Sequence, residues 1–262
     1  MSRSRIYAII IQELFITRNS LEVIIDLFYF SIINIVAFGF VSVFLTSRTN
    51  PIVAHYLLTG MILWEIIRVT QYSISVGALW NIWSRNLSNM FVAPLTLKEY
   101  MVAAMISGGI KSVLILIAIS LIAKFMFSFD IFALGMLNLF FYFINLTIFA
   151  WTAGIIILGL IFRFGTRIQA LAWGLIFLFQ PLTAVFFPVK ILPDVFQKIA
   201  YFLPPTYIFE AARINLTNPT TQTEHISIAF LQNIIYLLVS LLFFNYMFTK
   251  SRKTGQFAKN EG

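Results

Sequence analysis

Long stretches almost free of charge recur along this 262-residue chain, and they restrict its fold more than any other feature. A bilayer core about 30 Å thick takes roughly 20 apolar residues per helical crossing. Only a helix, or a closed barrel, satisfies its backbone polar groups there. Six segments are long enough: Leu21 to Leu45, Tyr56 to Trp80, Tyr100 to Ala123, Ile131 to Phe162, Ile168 to Phe187 and Ile226 to Phe248. The fourth has length to spare for tilt or for an interfacial turn. Charged residues make up 11% of the chain and hydrophobic ones 60%, whereas a soluble domain carries about 25% charge. The expected fold is therefore all-α and integral to the membrane, with six transmembrane helices. No linker or low-complexity stretch divides it, so residues 1–262 read as one domain.

The net charge of +8 would point to nucleic acid in a soluble protein, but 29 phenylalanines and the uncharged runs leave no polar face for a basic patch. Here the charge reads as topology, because basic residues are retained on the cytoplasmic side. If both termini share one side, that side holds 11 Lys and Arg, and the opposite side holds Arg48, Lys124, Lys190, Lys198 and Arg213. Both termini are thus expected in the cytoplasm. Cysteine is absent, which removes disulfides, thiolate metal sites and thiol catalysis. Near the start, Gln12 and Glu13 break the first apolar run, so a cleaved signal peptide is not expected.

Between the last two spans the chain reads FFPVKILPDVFQKIAYFLPPTYIFEAAR, Phe186 to Arg213. Val195, Phe196, Ile199, Phe202 and Leu203 recur at helical spacing, with Asp194, Gln197 and Lys198 on the other face. A helix from Pro193 to Leu203 is expected, with Pro193 in its first turn and Asp194 against the positive helix end. Such a helix reaches only about 16 Å and cannot cross. Pro204 and Pro205 should end it, leaving Thr206 to cap a second short helix from Tyr207 to Asn215. Residues 188–215 thus read as an external re-entrant hairpin, with an amphipathic loop on the membrane surface as the alternative.

The loop after the second span, WSRNLSNMFVAPLTLKEYM from Trp83 to Met101, has Pro94 as a stop and Thr96 with Glu99 as a capping box for the third span. Arg85 to Val92 then form a short helix, marginal alone in water. It fits an interfacial helix and a docking surface equally.

These two segments carry a family resemblance. The pattern Trp83-Ser84-Arg85-Asn86, Asn89, Pro94-Leu95 and Glu99-Tyr100, then Phe187-Pro188, Leu192-Pro193, Leu203-Pro204-Pro205-Thr206-Tyr207, Phe209-Glu210 and Arg213, resembles permease subunits of ABC-2 type ATP-binding-cassette exporters. Ala211-Ala212 departs from that pattern. The resemblance implies a non-catalytic subunit of a prokaryotic cell (inner) membrane, with no cofactor of its own. ATP and Mg would sit on a separate ATPase partner, and a second copy or a related permease would complete the pathway, in contact with lipid and not nucleic acid. It also implies that the helix from Arg85 to Ala93, with Arg85, Asn86, Asn89, Phe91, Pro94 and Glu99, couples to the ATPase. Pro193, Pro204, Pro205, Tyr207, Glu210 and Arg213 would form the external hairpin or gate. Ile6 to Ile16 would be an interfacial helix facing the ATPase. The cargo would be hydrophobic, amphipathic or lipid-linked; a secondary transporter or channel is the alternative.

The chain lacks a phosphate-cradling loop. Gly108-Gly109-Ile110-Lys111-Ser112 places isoleucine where such a loop needs adjacent Gly-Lys, and it falls within a span. His55 and His225 stand near span ends at no ligand spacing. Four charges lie at membrane depth: Asp26, Glu65, Arg68 and Lys111. Glu65 and Arg68, three apart, share a helix face. Lys111 needs an acid from a neighbouring helix, with Glu65 or Asp26 as candidates. The charges either greet an anionic headgroup or lock spans together.

Overall fold

The computed structural model describes residues 1–48, 51–86 and 94–254, and among them every regular element is helical. The elements are α1 (Arg3–Asn19), α2 (Leu21–Ile24), a π-helical segment (Ile25–Tyr29), α3 (Phe30–Arg48), α4 (Pro51–Trp83), α5 (Leu97–Phe127), α6 (Met136–Phe164), α7 (Gln169–Leu182), α8 (Asp194–Tyr201), α9 (Pro204–Asn215) and α10 (Thr223–Lys253). Among the described residues five helical stretches are long and apolar enough to cross a bilayer: Leu21–Ser47, Pro51–Trp83, Leu97–Phe127, Met136–Leu182 and Thr223–Lys253. At about 1.5 Å per residue, the 33 residues of α4 run well past the hydrocarbon core.

α4 is the axis of the fold. It packs against α3, α5, α6 and α7, and α6 in turn packs along α10. Trp64, Leu63 and Ile67 of α4 and Leu146, Ile155 and Leu158 of α6 are fully buried, while α3, α5 and α10 turn apolar side chains such as Phe40, Leu114 and Leu242 outward. Outward apolar side chains are what lipid-facing helices need. Small residues set the closest approaches. A Cβ on Gly108 would stand 3.0 Å from the Thr70 carbonyl, so this glycine lets α5 approach α4 closely, whereas a Cβ on Gly109 would meet open space. At Gly60 a Cβ would collide with the backbone carbonyl of Val185, which fixes the turn after α7 against one end of α4.

The expected fifth span is shorter than its apolar run. α7 has 14 residues and follows α6 after a single 3-10 turn, Gly165–Ile168. Gly165 there adopts φ 68°, ψ −153°, a conformation essentially reserved for glycine. The chain folds back at that point. Phe149 of α6 meets Phe179 of α7, at a ring separation of 5.6 Å, about equally far on either side of the turn. α7 also runs opposite to α4: Trp173 stacks near Trp83, whereas Val185 just beyond α7 lies on Gly60.

The hairpin corner differs from expectation in register. α8 spans eight residues, with Pro193 at its N-cap position outside the helix. Pro204 and Pro205 do not merely end α8; they begin α9, which has 12 residues and Leu203 in extended geometry before it. The first turn of a helix has no use for its N–H groups, so two prolines fit there without loss. Thr206 is consequently no cap, and its hydroxyl instead donates to the Ala200 carbonyl at 2.6 Å, closing the corner.

Candidate functional site

The first cluster grows out of a change in helix winding. Ser20 caps α2 by accepting from the Val23 N–H, and one turn later the winding loosens into the π segment. A π turn displaces backbone carbonyls from their usual helical partners. Here Asp26 O and Leu27 O accept from Arg68 of α4, at 3.1 and 3.2 Å. Arg68 also donates to Glu65 Oε2 from Nε (2.9 Å) and Nη2 (2.7 Å), and to Ser31 Oγ (2.6 Å). Ser31 passes its own proton toward Leu27 O and Glu65 Oε2, each at 2.6 Å. One guanidinium therefore staples two helices through a fork that lysine could not reproduce. Beside it, the Tyr72 hydroxyl donates to Asp26 Oδ2 at 2.7 Å.

Of these groups Asp26, Arg68 and Tyr72 border a cavity of about 320 Å3 between the π segment, α3, α4 and α7. Asp26, Asn34, Arg68 and Gln71 supply its polarity, and Phe30, Tyr72, Trp173 and Phe177 its aromatic walls. Gln71 is held by its amide, which donates to Ser75 Oγ and to the Ala172 carbonyl at 3.0 Å.

The second cluster lies at the end of the bundle that carries α1. The Arg85 and Asn86 N–H groups close α4 by returning to Ile82 O (3.0 Å) and Asn81 O (2.9 Å), with Arg85 at φ 53°. This is a Schellman termination with arginine where glycine is the usual residue. Asn89 and Phe91 lie outside the described residues. α5 opens with the capping box expected from sequence: Thr96 Oγ1 accepts from the Glu99 N–H, and Glu99 Oε2 accepts from the Thr96 N–H at 2.9 Å. Glu99 does more than cap. Its Oε1 accepts from the Ser2 N–H at 2.6 Å and pairs with Arg5 at 3.0 Å, while Arg5 also donates to the Pro94 carbonyl. α1 is thereby bound along the first turns of α5, with Ile9 packed on Tyr100 and Ala103.

Lys111 corrects the sequence reading. Its partner is Glu13 of α1, at 3.4 Å, and neither Glu65 nor Asp26. Both side chains are buried. The break that Glu13 makes in the N-terminal apolar run was the signal for it, but no local pattern names a partner about a hundred residues away.

At the opposite end, Arg213 of α9 donates to Glu210 Oε1 (2.8 Å), Ala184 O (2.8 Å) and Val185 O (3.3 Å). Glu210 Oε1 in turn accepts from the Val189 N–H at 2.8 Å. Burial lowers the Arg213 pKa from its ordinary value, and the neighbouring Glu210 opposes that shift. The pair braces the turn after α7, where Ala184 holds φ 52°. Tyr207 packs its ring near those of Tyr201 and His225. Gln232 and Tyr236 of α10 donate to the Tyr201 and Phe202 carbonyls and hold the end of α8. Val195, Phe196 and Phe202 are left exposed on the hairpin.

Long apolar helices around a polar, aromatic-walled cavity, with ion pairs consumed inside the bundle, define a multi-pass membrane protein. The family model of the ABC-2 type transporter matches residues 69–217, more than half of the chain, and the protein belongs to that family. The match runs from the middle of α4 through α9 and takes in both segments that carry the motifs. No curated protein matches the chain.

Proposed function

We propose that this chain is the permease subunit of an exporter driven by a separate ATP-binding-cassette ATPase. The family match carries the reading, since membership implies an ATPase partner. In this reading α6 and α7 each cross the membrane, giving six crossings, with both termini in the cytoplasm and residues 188–215 outside. The fold-back of α7 along α6 and α4 supports the sixth crossing, and the bias of Lys and Arg toward one side supports the orientation.

Coupling then runs through the segment between α4 and α5. Its two flanks are stiff, one closed by the Arg85 turn and the other by the Thr96–Glu99 box to which α1 is tied. A push on Arg85 to Pro94 would move α4, α5 and α1 together. That motion reaches the cavity through Arg68, Gln71 and Tyr72 of α4, where a hydrophobic, amphipathic or lipid-linked cargo would be held before release beneath the hairpin. Two copies, or this chain with a related permease, would form the path in a prokaryotic cell membrane.

The test is co-expression with ATP-binding-cassette ATPases of the source genome, each tried as the partner of this chain. Co-purification, with ATP hydrolysis that rises on adding cargo and falls in Arg85→Ala, supports the reading. Ion-driven transport by the purified chain alone would overturn it.

A further inference from the structure

The charges around the cavity do not balance. Asp26 and Glu65 face a single cation, Arg68, and Arg68 is committed to Glu65. Among the described residues no Lys, Arg or His approaches the Asp26 carboxylate within ion-pairing distance, and its one hydrogen bond comes from Tyr72. Glu65 is also short of donors, for its buried Oε1 has no hydrogen-bond partner. The elements packed against the cavity supply nothing to offset this: α7 has no charged residue, and α3 has only Arg48 at its far end. Nor does a second copy have a cation to lend at this depth, because Arg68 and Lys111 are each paired within their own subunit. Glu22, exposed one turn before Asp26, is offset by Arg18, exposed one turn earlier still. An anionic headgroup would meet net negative charge here, in a chain whose overall charge is +8.

Aromatic walls around an unbalanced carboxylate are the chemistry that recognises organic cations, since ring faces attract positive charge and the apolar rings cover hydrocarbon. We infer that this cavity binds a lipophilic organic cation, with the positive centre at Asp26 and the apolar body among Phe30, Tyr72, Trp173 and Phe177. The volume of about 320 Å3 lies at the low end of small-molecule sites. Binding of this kind deepens the transport reading, and rests on it for the role of the site, but it does not require the ATPase.

Two probes of one shape and opposite charge decide the matter. Tetraphenylphosphonium and tetraphenylborate are titrated against the purified full chain in nanodiscs, reading tryptophan fluorescence against empty nanodiscs. Saturable binding of the cation alone is expected. Asp26→Asn should weaken it at least tenfold, and Asp26→Glu should keep it within about threefold. Saturable tetraphenylborate binding of equal or greater strength, or unchanged cation binding in a folded Asp26→Asn, overturns the inference. If Asp26→Asn does not fold, the two probes on the unaltered chain still decide it. Adding a two-chain cationic lipid separates the sources: displacement of the probe assigns the site to a lipid headgroup amine, and its absence to a free cation. Failure here with intact co-purification of the ATPase would leave the exporter standing and remove only the cation.

Discussion

Arg213 satisfies two backbone carbonyls and one carboxylate from a buried position, so its removal should show first as lost stability. Arg213→Ala leaves Glu210 with only the Val189 N–H and strands the Ala184 and Val185 carbonyls, at a cost of about 3 kcal/mol, the lower end for a broken buried pair because Glu210 is partly exposed. Arg213→Lys should recover little of this, since a point charge cannot serve three acceptors in fork geometry. Thermal unfolding of the purified chain in detergent checks both. A folded Arg213→Ala of unchanged melting temperature that fails only in export would assign the pair to gating instead. Lys111 permits a sharper experiment. Lys111→Met leaves Glu13 buried beside no cation and should lower the melting temperature, whereas Lys111→Met with Glu13→Gln should regain most of it. Reversing Lys111 together with Glu65 should rescue nothing, because the two do not meet.

At the scale of elements, local chemistry was readable wherever the determinants sit within one turn. Thr96 and Glu99 announce the start of α5 because a capping box is complete within four residues. The proline pair of the hairpin was legible as a corner but misread in phase. Proline is equally at home ending one helix and opening the next, and only the Thr206 bond back to Ala200 decides between them. The π segment was not legible, since the carbonyls it displaces are recovered by Arg68 some forty residues later. The Arg85 turn belongs to this scale as well. Arginine at φ 53° costs on the order of 1 kcal/mol that glycine would not. Arg85→Gly should therefore leave α4 terminated as before and raise stability slightly, by up to about 1 kcal/mol. If ATP hydrolysis by the assembled transporter nonetheless drops severalfold in this variant, the guanidinium acts on the partner; unchanged hydrolysis would confine Arg85 to the turn.

For the whole molecule, apolar length announced the membrane but not the count of crossings. The apolar run from Ile168 to Phe187 yields only the 14 residues of α7, and among the described residues five stretches are long and apolar enough to cross, one of them, Met136–Leu182, holding both α6 and α7. The contact of α1 with α5 likewise joins residues about a hundred positions apart, Arg5 with Glu99 and Glu13 with Lys111, which no spacing rule encodes. The absence of cysteine makes the topology directly measurable. Ser4→Cys, Lys198→Cys and Lys253→Cys introduce single exposed thiols in the first turn of α1, on the hairpin and at the end of α10. With six crossings and cytoplasmic termini, a membrane-impermeant maleimide applied to intact cells should label only Lys198→Cys, and all three after the membrane is opened. Were α7 to turn back without crossing, the hairpin would stay on the side of the N-terminus. Lys253→Cys would then be labelled in intact cells while Ser4→Cys and Lys198→Cys stayed protected. The two patterns share no labelled site, so a single set of gels separates six crossings from five.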